Sequence, residues 1–343
     1  AVALVLVPAI AMASPLRSQN PPFLPLVLST VPANGDQNPY GVAFVPSGFH
    51  GGQLNPGDIL VANFNNATNL QGFGTTIVRV QPNGQTSVFA NTGSVTGLTA
   101  ALGVIAQGFV FVGSVATADG TDNTVSAGPL LVLDANGNVV DSITSALDGP
   151  WGLAINSSDS HVQVFVSNVL NGTVTRLDFS FRRGKIHFDS STQIASGYSH
   201  AFDPLAIVIG PAGLVYNQSR DVLYVAGEDD DQIFAIQNAS TTTDHGTGTV
   251  IYSDTTHLHG PLGLAMAPNG NLIAANNDSI NSDTNQPSEI VEFTIGGRFV
   301  RQFSIDPNID GPFGIAIGEF NDANEFAYLN DNRNTLSVLE LKE

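Results

Sequence analysis

The chain contains no cysteine, only two lysines (Lys185 and Lys342), one tryptophan and two methionines. Without cysteine there is no disulfide, no thiolate metal site, no cysteine nucleophile and no cysteine-borne lipid anchor. Charged residues make up 12% of the chain, and the formal net charge is −19 because 30 acidic residues outnumber nine arginines and the two lysines. Such a surface repels polyanions, which argues against nucleic acid and anionic membranes as partners and leaves cations, neutral glycans and basic proteins. Long apolar runs are missing as well. The opening stretch is apolar and ends in an Ala-x-Ala pattern at Ala11 and Ala13, so residues 1–13 read as the remnant of a secretion signal, too short to span a bilayer. The expected localisation is secreted or periplasmic, with no membrane insertion. No Gly-x-Ser-x-Gly, His-Glu-x-x-His, Walker or dinucleotide fingerprint occurs, which weakens serine-hydrolase, zinc-protease and nucleotide chemistry.

Hydrophobic residues reach 42%, and 35 glycines accompany many Asn, Thr and Ser, the composition of short strands joined by polar turns. One phrase recurs: Asn38-Pro-Tyr-Gly-Val-Ala43, Gly149-Pro-Trp-Gly-Leu-Ala154, Gly260-Pro-Leu-Gly-Leu-Ala265 and Gly311-Pro-Phe-Gly-Ile-Ala316. Weaker copies at Ala100-Ala-Leu-Gly-Val-Ile105 and Asp203-Pro-Leu-Ala-Ile-Val208 fill the gaps. Aligning Gly41, Gly103, Gly152, Ala206, Gly263 and Gly314 gives spacings of 62, 49, 54, 57 and 51 residues, each enough for a four-stranded blade. A second strand follows each phrase, as in Phe109-Val-Phe-Val112, then a polar loop and a third strand. Turns such as Pro82-Asn-Gly84 introduce a fourth.

The sequence therefore predicts an all-β chain, a six-bladed β-propeller of four-stranded blades. The blades fall at about 38–95, 96–146, 147–199, 200–256, 257–308 and 309–343, the last completed by 22–32. Residues 14–343 form a single domain in this reading, and the N-terminal strand Phe23 to Leu28 closes the ring. Closure removes the two exposed sheet edges that an open fan would present.

The Pro-x-Gly-hydrophobic-Ala opening and the segment Glu228-Asp-Asp-Asp-Gln-Ile-Phe-Ala-Ile236 make the chain similar to the NHL-repeat-like six-bladed propellers and distantly to the lactonase-like ones. That group includes lyases, lactonase-like hydrolases and pure binding modules, so the likeness is specific for architecture rather than for activity.

Chemistry is expected on the face that carries the loops leading into each first strand. Asn38, Asp148, Asp203, His259 and Asp310 stand just before or within the recurring phrases, and repetition should set them in a ring around the axis. Oxygen donors so placed suit calcium. The resemblance adds that lactonase-like propellers hold an axial divalent ion near this phrase, although here it reads Asp-Gly-Pro twice and His-Gly-Pro once. A plain turn role, with each Asp accepting backbone N–H groups, is the competing reading. Zinc held by His200, His257 and His259 is a further one, weakened because His257 and His259 alternate and should point apart.

The loops after the second strands are rich in amides and acids, with Asn63, Asn168, Glu228 and Asn276 as candidate ligand donors and Phe64, Phe73 and Trp151 as candidate stacking faces for a sugar. Three functions follow. The first is an extracellular binding or scaffold propeller recognising a protein, glycan or surface polymer through its loop-rich face; a separate one is a subunit of an extracellular surface assembly. The alternative is a metal-dependent hydrolase or lyase with an axial calcium; calcium is the one cofactor the sequence suggests.

Overall fold

The computed structural model describes residues 26–277, 281–320 and 323–341. The signal segment 1–13 and residues Phe23 to Pro25 of the expected closing strand lie outside them. Six four-stranded antiparallel sheets are arranged as the blades of a propeller. Their innermost strands are Gln37–Phe44, Leu98–Ile105, Pro150–Ser157, Pro211–Asn217, Pro261–Met266 and Pro312–Phe320. Each of these packs against the innermost strands on either side, and the last packs against the first.

The second strand of a blade is sandwiched between two neighbouring sheets, so both of its faces are apolar. His161–Asn168 is buried at every residue but the first, whereas the outer strand Val139–Ile143 is exposed at all but the last. The sixth blade supplies three strands of its own, Pro312–Phe320, Ala323–Asn330 and Thr335–Leu341. Leu26–Ser29 adds the fourth, pairing Leu26 with Val338 and Ser29 with Thr335. The expected closure by the N-terminal strand is therefore observed.

The recurring phrase has a physical cause. In all six blades the pairing of the first and second strands slips at this point, between Pro39 and Gly41, Leu98 and Leu102, Pro150 and Leu153, Pro211 and Leu214, Pro261 and Gly263, and Pro312 and Ile315. A bulge re-aims the side chain it carries, and Tyr40, Trp151, Ala212, Leu262 and Phe313 join one buried cluster at the axis. The glycine that follows lies against the neighbouring blade. A Cβ on Gly152 would stand 2.2 Å from the Ala212 carbonyl oxygen, and one on Gly314 would stand 2.4 Å from that of Tyr40.

Two alignments are corrected. The fourth blade opens at Gly210-Pro-Ala-Gly-Leu-Val215, not at Asp203. Asp203 Oδ1 instead accepts from the backbone N–H groups of Leu205 and Ala206, at 2.7 and 2.8 Å, and turns the chain into a small hairpin of Ala201–Asp203 and Ile207–Ile209. In the second blade, pairing of Leu102 with Val112 matches that of Leu153 with Val166, so Ala101 and not Gly103 occupies the tight position. Among the described residues no helix is long and apolar enough to cross a membrane.

Candidate functional site

Below the glycines the axial channel is a cavity of about 320 Å³ walled by the inner strands, with side chains such as Val42, Leu102, Leu153, Leu214, Leu264 and Ile315. Those walls carry no ionisable group. At the loop-bearing end the axis is filled instead. Tyr40 stacks on Phe313 at 4.4 Å, meets Trp151 edge-on at 5.3 Å, and Phe64 meets both. Tyr40 and Trp151 belong to the first and third blades, so their contact crosses the channel.

Trp151 and Phe64 are 0% and 1% exposed, which corrects the expectation that they stack on a sugar; the two rings pack against each other and against Tyr40 in tilted and edge-on contacts. Phe73 is half-buried.

The expected amide donors occupy one repeated structural position, at the end of the second strand opposite the phrase. Asn63 donates to the Thr30 carbonyl at 3.1 Å, Asn168 to the Thr173 and Thr175 hydroxyls at 2.9 and 3.0 Å, and Asn276 to the His257 carbonyl at 2.7 Å. All three are 0% exposed; Asn63 and Asn276 fasten the loop that leads into their own blade through these bonds, and Asn168 does so by accepting from the Asp148 N–H. They are corrected from ligand donors to internal fasteners.

The next residue in each blade matters more. The backbone N–H groups of Val115, Val169, Glu228, Asn277 and Asp331 donate to the carbonyls of Gly97, Gly149, Gly210, Gly260 and Gly311, the same bond repeated in blades two to six. With Phe64 after Asn63 in the first blade, these six positions form a second ring at the mouth. Blades one to three give it Phe64, Val115 and Val169; blades four to six give it Glu228, Asn277 and Asp331. One half is apolar and the other polar.

The hairpin of Ala201–Asp203 and Ile207–Ile209 lies over the apolar half. Its Ile207 and Val208 are buried in the axial cluster, and the Leu205 carbonyl accepts from Gln71 Nε2 of the first blade at 3.2 Å.

The polar half carries its charge under strain. Glu228 is 1% exposed; Oε1 accepts from Asn277 Nδ2 at 2.9 Å, while Oε2 is buried with no protein partner. Burial holds its carboxyl well above the usual range, opposed by the Asn277 bond and reinforced by Asp229 and Asp203. Burial, then Asp310, pushes Asp331 up to about 7. Burial, then Glu228, Asp331 and Asp310, raises the Tyr40 hydroxyl.

The residues expected to bind an axial ion are not gathered into one set. Asp203 and Asp310 border the polar half, as their action on Glu228 and Asp331 shows. Asp148 lies beside Val169 in the third blade, its backbone N–H donating to Asn168 Oδ1 at 3.1 Å. Asn38 takes a left-handed turn (φ 58°) and its N–H donates to Asn334 Oδ1 at 2.7 Å. The three histidines separate as well. His257 faces Asp254 at 2.6 Å and stacks on Phe299, His200 Nδ1 faces the Tyr198 carbonyl at 3.0 Å, and His259 Nδ1 faces the Asn281 carbonyl at 2.6 Å.

No family model matches the chain, and no curated protein matches it in sequence. Solved structures do share its architecture. A gluconolactonase from Xanthomonas campestris superposes with a TM-score of 0.56 at 12% identity, covering 93% of this chain and 90% of that one. A calcium-binding protein, regucalcin, from Agrobacterium tumefaciens gives 0.55 at 13%, covering 90% and 92%. The PQQ-bound aldose sugar dehydrogenase of Streptomyces coelicolor gives 0.51 at 13%, covering 94% and 100%. At such identities the likeness is one of fold alone, that of a six-bladed propeller.

Proposed function

We propose that this protein is a metal-dependent hydrolase of a small carbonyl substrate, a lactone or related ester, acting at the polar half of its channel mouth. The observation that carries the reading is Glu228, a wholly buried carboxyl with one oxygen left unpartnered. An orphaned buried oxygen costs about 1–3 kcal/mol, more when charged, and a bound cation offsets that cost. The donors fit such an ion: carboxylate oxygens from Glu228 and Asp331 and the Asn277 amide stand in equivalent positions of three consecutive blades. Calcium, which takes six to eight oxygens, suits this set, with water and substrate completing it. When bound, the ion supplies Lewis-acid polarisation of a carbonyl oxygen.

The chain's own residues set the rest. The aromatic floor of Tyr40, Trp151 and Phe313 excludes water beneath the substrate, and the hairpin narrows the mouth from the opposite side. Asp203 and Asp310 make the approach anionic, which favours neutral or cationic substrates over anions. The gluconolactonase and regucalcin likenesses support the same reading, and the loss of Trp151 and Phe64 to the core removes the main support for sugar stacking in a plain binding propeller.

Hydrolysis of a panel of aldono- and alkyl lactones, followed by proton release, tests it. We expect turnover that chelation abolishes, calcium restores, and Glu228→Gln lowers at least 100-fold. No turnover of any lactone by calcium-loaded protein contradicts it.

A further inference from the structure

A second set of metal-ligating side chains lies in the fifth blade. One ring nitrogen of His259, one carboxylate oxygen of Asp283 and one of Glu289 lie within 4.8 Å of one another, the one such group among the described residues. His259 stands on the turn leading into Pro261–Met266, Asp283 in the loop before Glu289–Phe293, and Glu289 at the start of that strand. His259 is 8% exposed and Glu289 1%, so ring and carboxylate meet in a dry environment.

The imidazole is held from both sides. Nδ1 lies 2.6 Å from the Asn281 carbonyl oxygen and Nε2 lies 3.3 Å from that of Thr256. A neutral ring has one N–H, and the shorter contact takes it; this tautomer follows from the hydrogen-bond geometry. The Nε2 lone pair is then left facing a carbonyl lone pair, a repulsive arrangement that a cation between them relieves. Donation of Nδ1–H to a backbone carbonyl is also the orientation that metal-bound histidines adopt. Asp231 reinforces the negative surroundings: it accepts from Gly260 N–H at 2.8 Å and from Asn281 Nδ2, next to the same imidazole.

We propose that His259, Asp283 and Glu289 bind a divalent first-row transition ion, of the zinc, cobalt or manganese class, and that this ion fastens the 281–288 loop to the fifth blade. One imidazole and two carboxylates favour such an ion over calcium, which prefers oxygen donors alone. Ligand bonds of about 2.0–2.2 Å are reached from the observed spacing by small side-chain shifts. The site shares no ligand with the proposed mouth site of Glu228, Asn277 and Asp331, so each can be tested by variants of its own residues.

The test is cobalt titration of EDTA-stripped full-length protein, read by visible d–d absorption and by calorimetry, with zinc-dependent melting alongside. We expect one equivalent of cobalt in a low-symmetry site and a rise in melting temperature with zinc. Asp283→Asn and His259→Gln should each weaken cobalt binding at least 100-fold, and Glu228→Gln should leave it unchanged. Asp283 is partly exposed, so its amide variant keeps the test meaningful should His259→Gln unfold. No stoichiometric cobalt uptake, or uptake unaltered in a folded Asp283→Asn variant, overturns the proposal.

Discussion

Tyr40 of the first blade and Phe313 of the last lie face to face, ring centroids 4.4 Å apart and planes inclined by 25°. The contact spans the seam where the ring closes, a second closure besides the pairing of Leu26–Ser29 with the last strand. Phe313→Ala should therefore cost about 3–5 kcal/mol, the usual loss for a buried aromatic. Denaturant melts of the two proteins measure this; a change below about 1 kcal/mol would mean that the rings do not hold the seam.

The close approach of neighbouring inner strands makes a sharper contrast. Gly152→Ala places a methyl 2.2 Å from a backbone oxygen that cannot rotate away, and should destabilise by more than about 2 kcal/mol. Gly296→Ala, in an exposed turn with its nearest neighbour at 3.8 Å, should change stability by less than about 1 kcal/mol. Equal effects would contradict the role given to the recurring glycine.

Asn168 separates fastening from binding. It accepts from Asp148 N–H and donates to Thr173 and Thr175 while wholly buried, so Asn168→Ala should lower stability by about 2–4 kcal/mol. Lactone turnover per folded molecule should stay within about twofold. A stable Asn168→Ala protein with lost activity would return this residue to the ligand site.

Asp331 gives a pH dependence with a definite sign. Its carboxyl titrates near 3.8 in an unfolded chain and near 7 in the fold. Below about pH 4 both states hold the proton; between 4 and 7 the native state holds one that the unfolded chain has released, so stability falls as pH rises across this window and stays lower above it. Asp331→Asn should thus raise the melting temperature by about 2–6 °C at pH 8 and leave it unchanged at pH 4. Calcium should protect the wild type more at pH 8 than at pH 5, because deprotonated carboxylates bind it.

The blade count and the closure were legible because a bulge, an axial residue and a tight glycine recur as Pro-x-Gly in five of the six blades, plainly in the first, third, fifth and sixth. The fourth blade was not, because Asp203-Pro-Leu-Ala imitates the phrase seven residues before Gly210-Pro-Ala-Gly repeats it, and only hydrogen bonding separates a turn from a strand. Trp151 looked like a stacking face in isolation. Its repeat position, shared with Tyr40, Leu262 and Phe313, carried the signal that it points to the axis. Glu228 was a ligand candidate from the start, but its partnership with Asn277 and Asp331 emerges only when the second strands are aligned by register. Asp283 and Glu289 had no sequence signal, since they meet His259 through a loop.

Calorimetric titration of calcium into EDTA-stripped protein tests the central claim most directly. Binding of one calcium to the wild type and to His259→Gln, lost in Glu228→Gln and weakened in Asp331→Asn, is the expected result. Absence of binding, or binding that Glu228→Gln leaves intact, would contradict a metal-dependent site at the channel mouth.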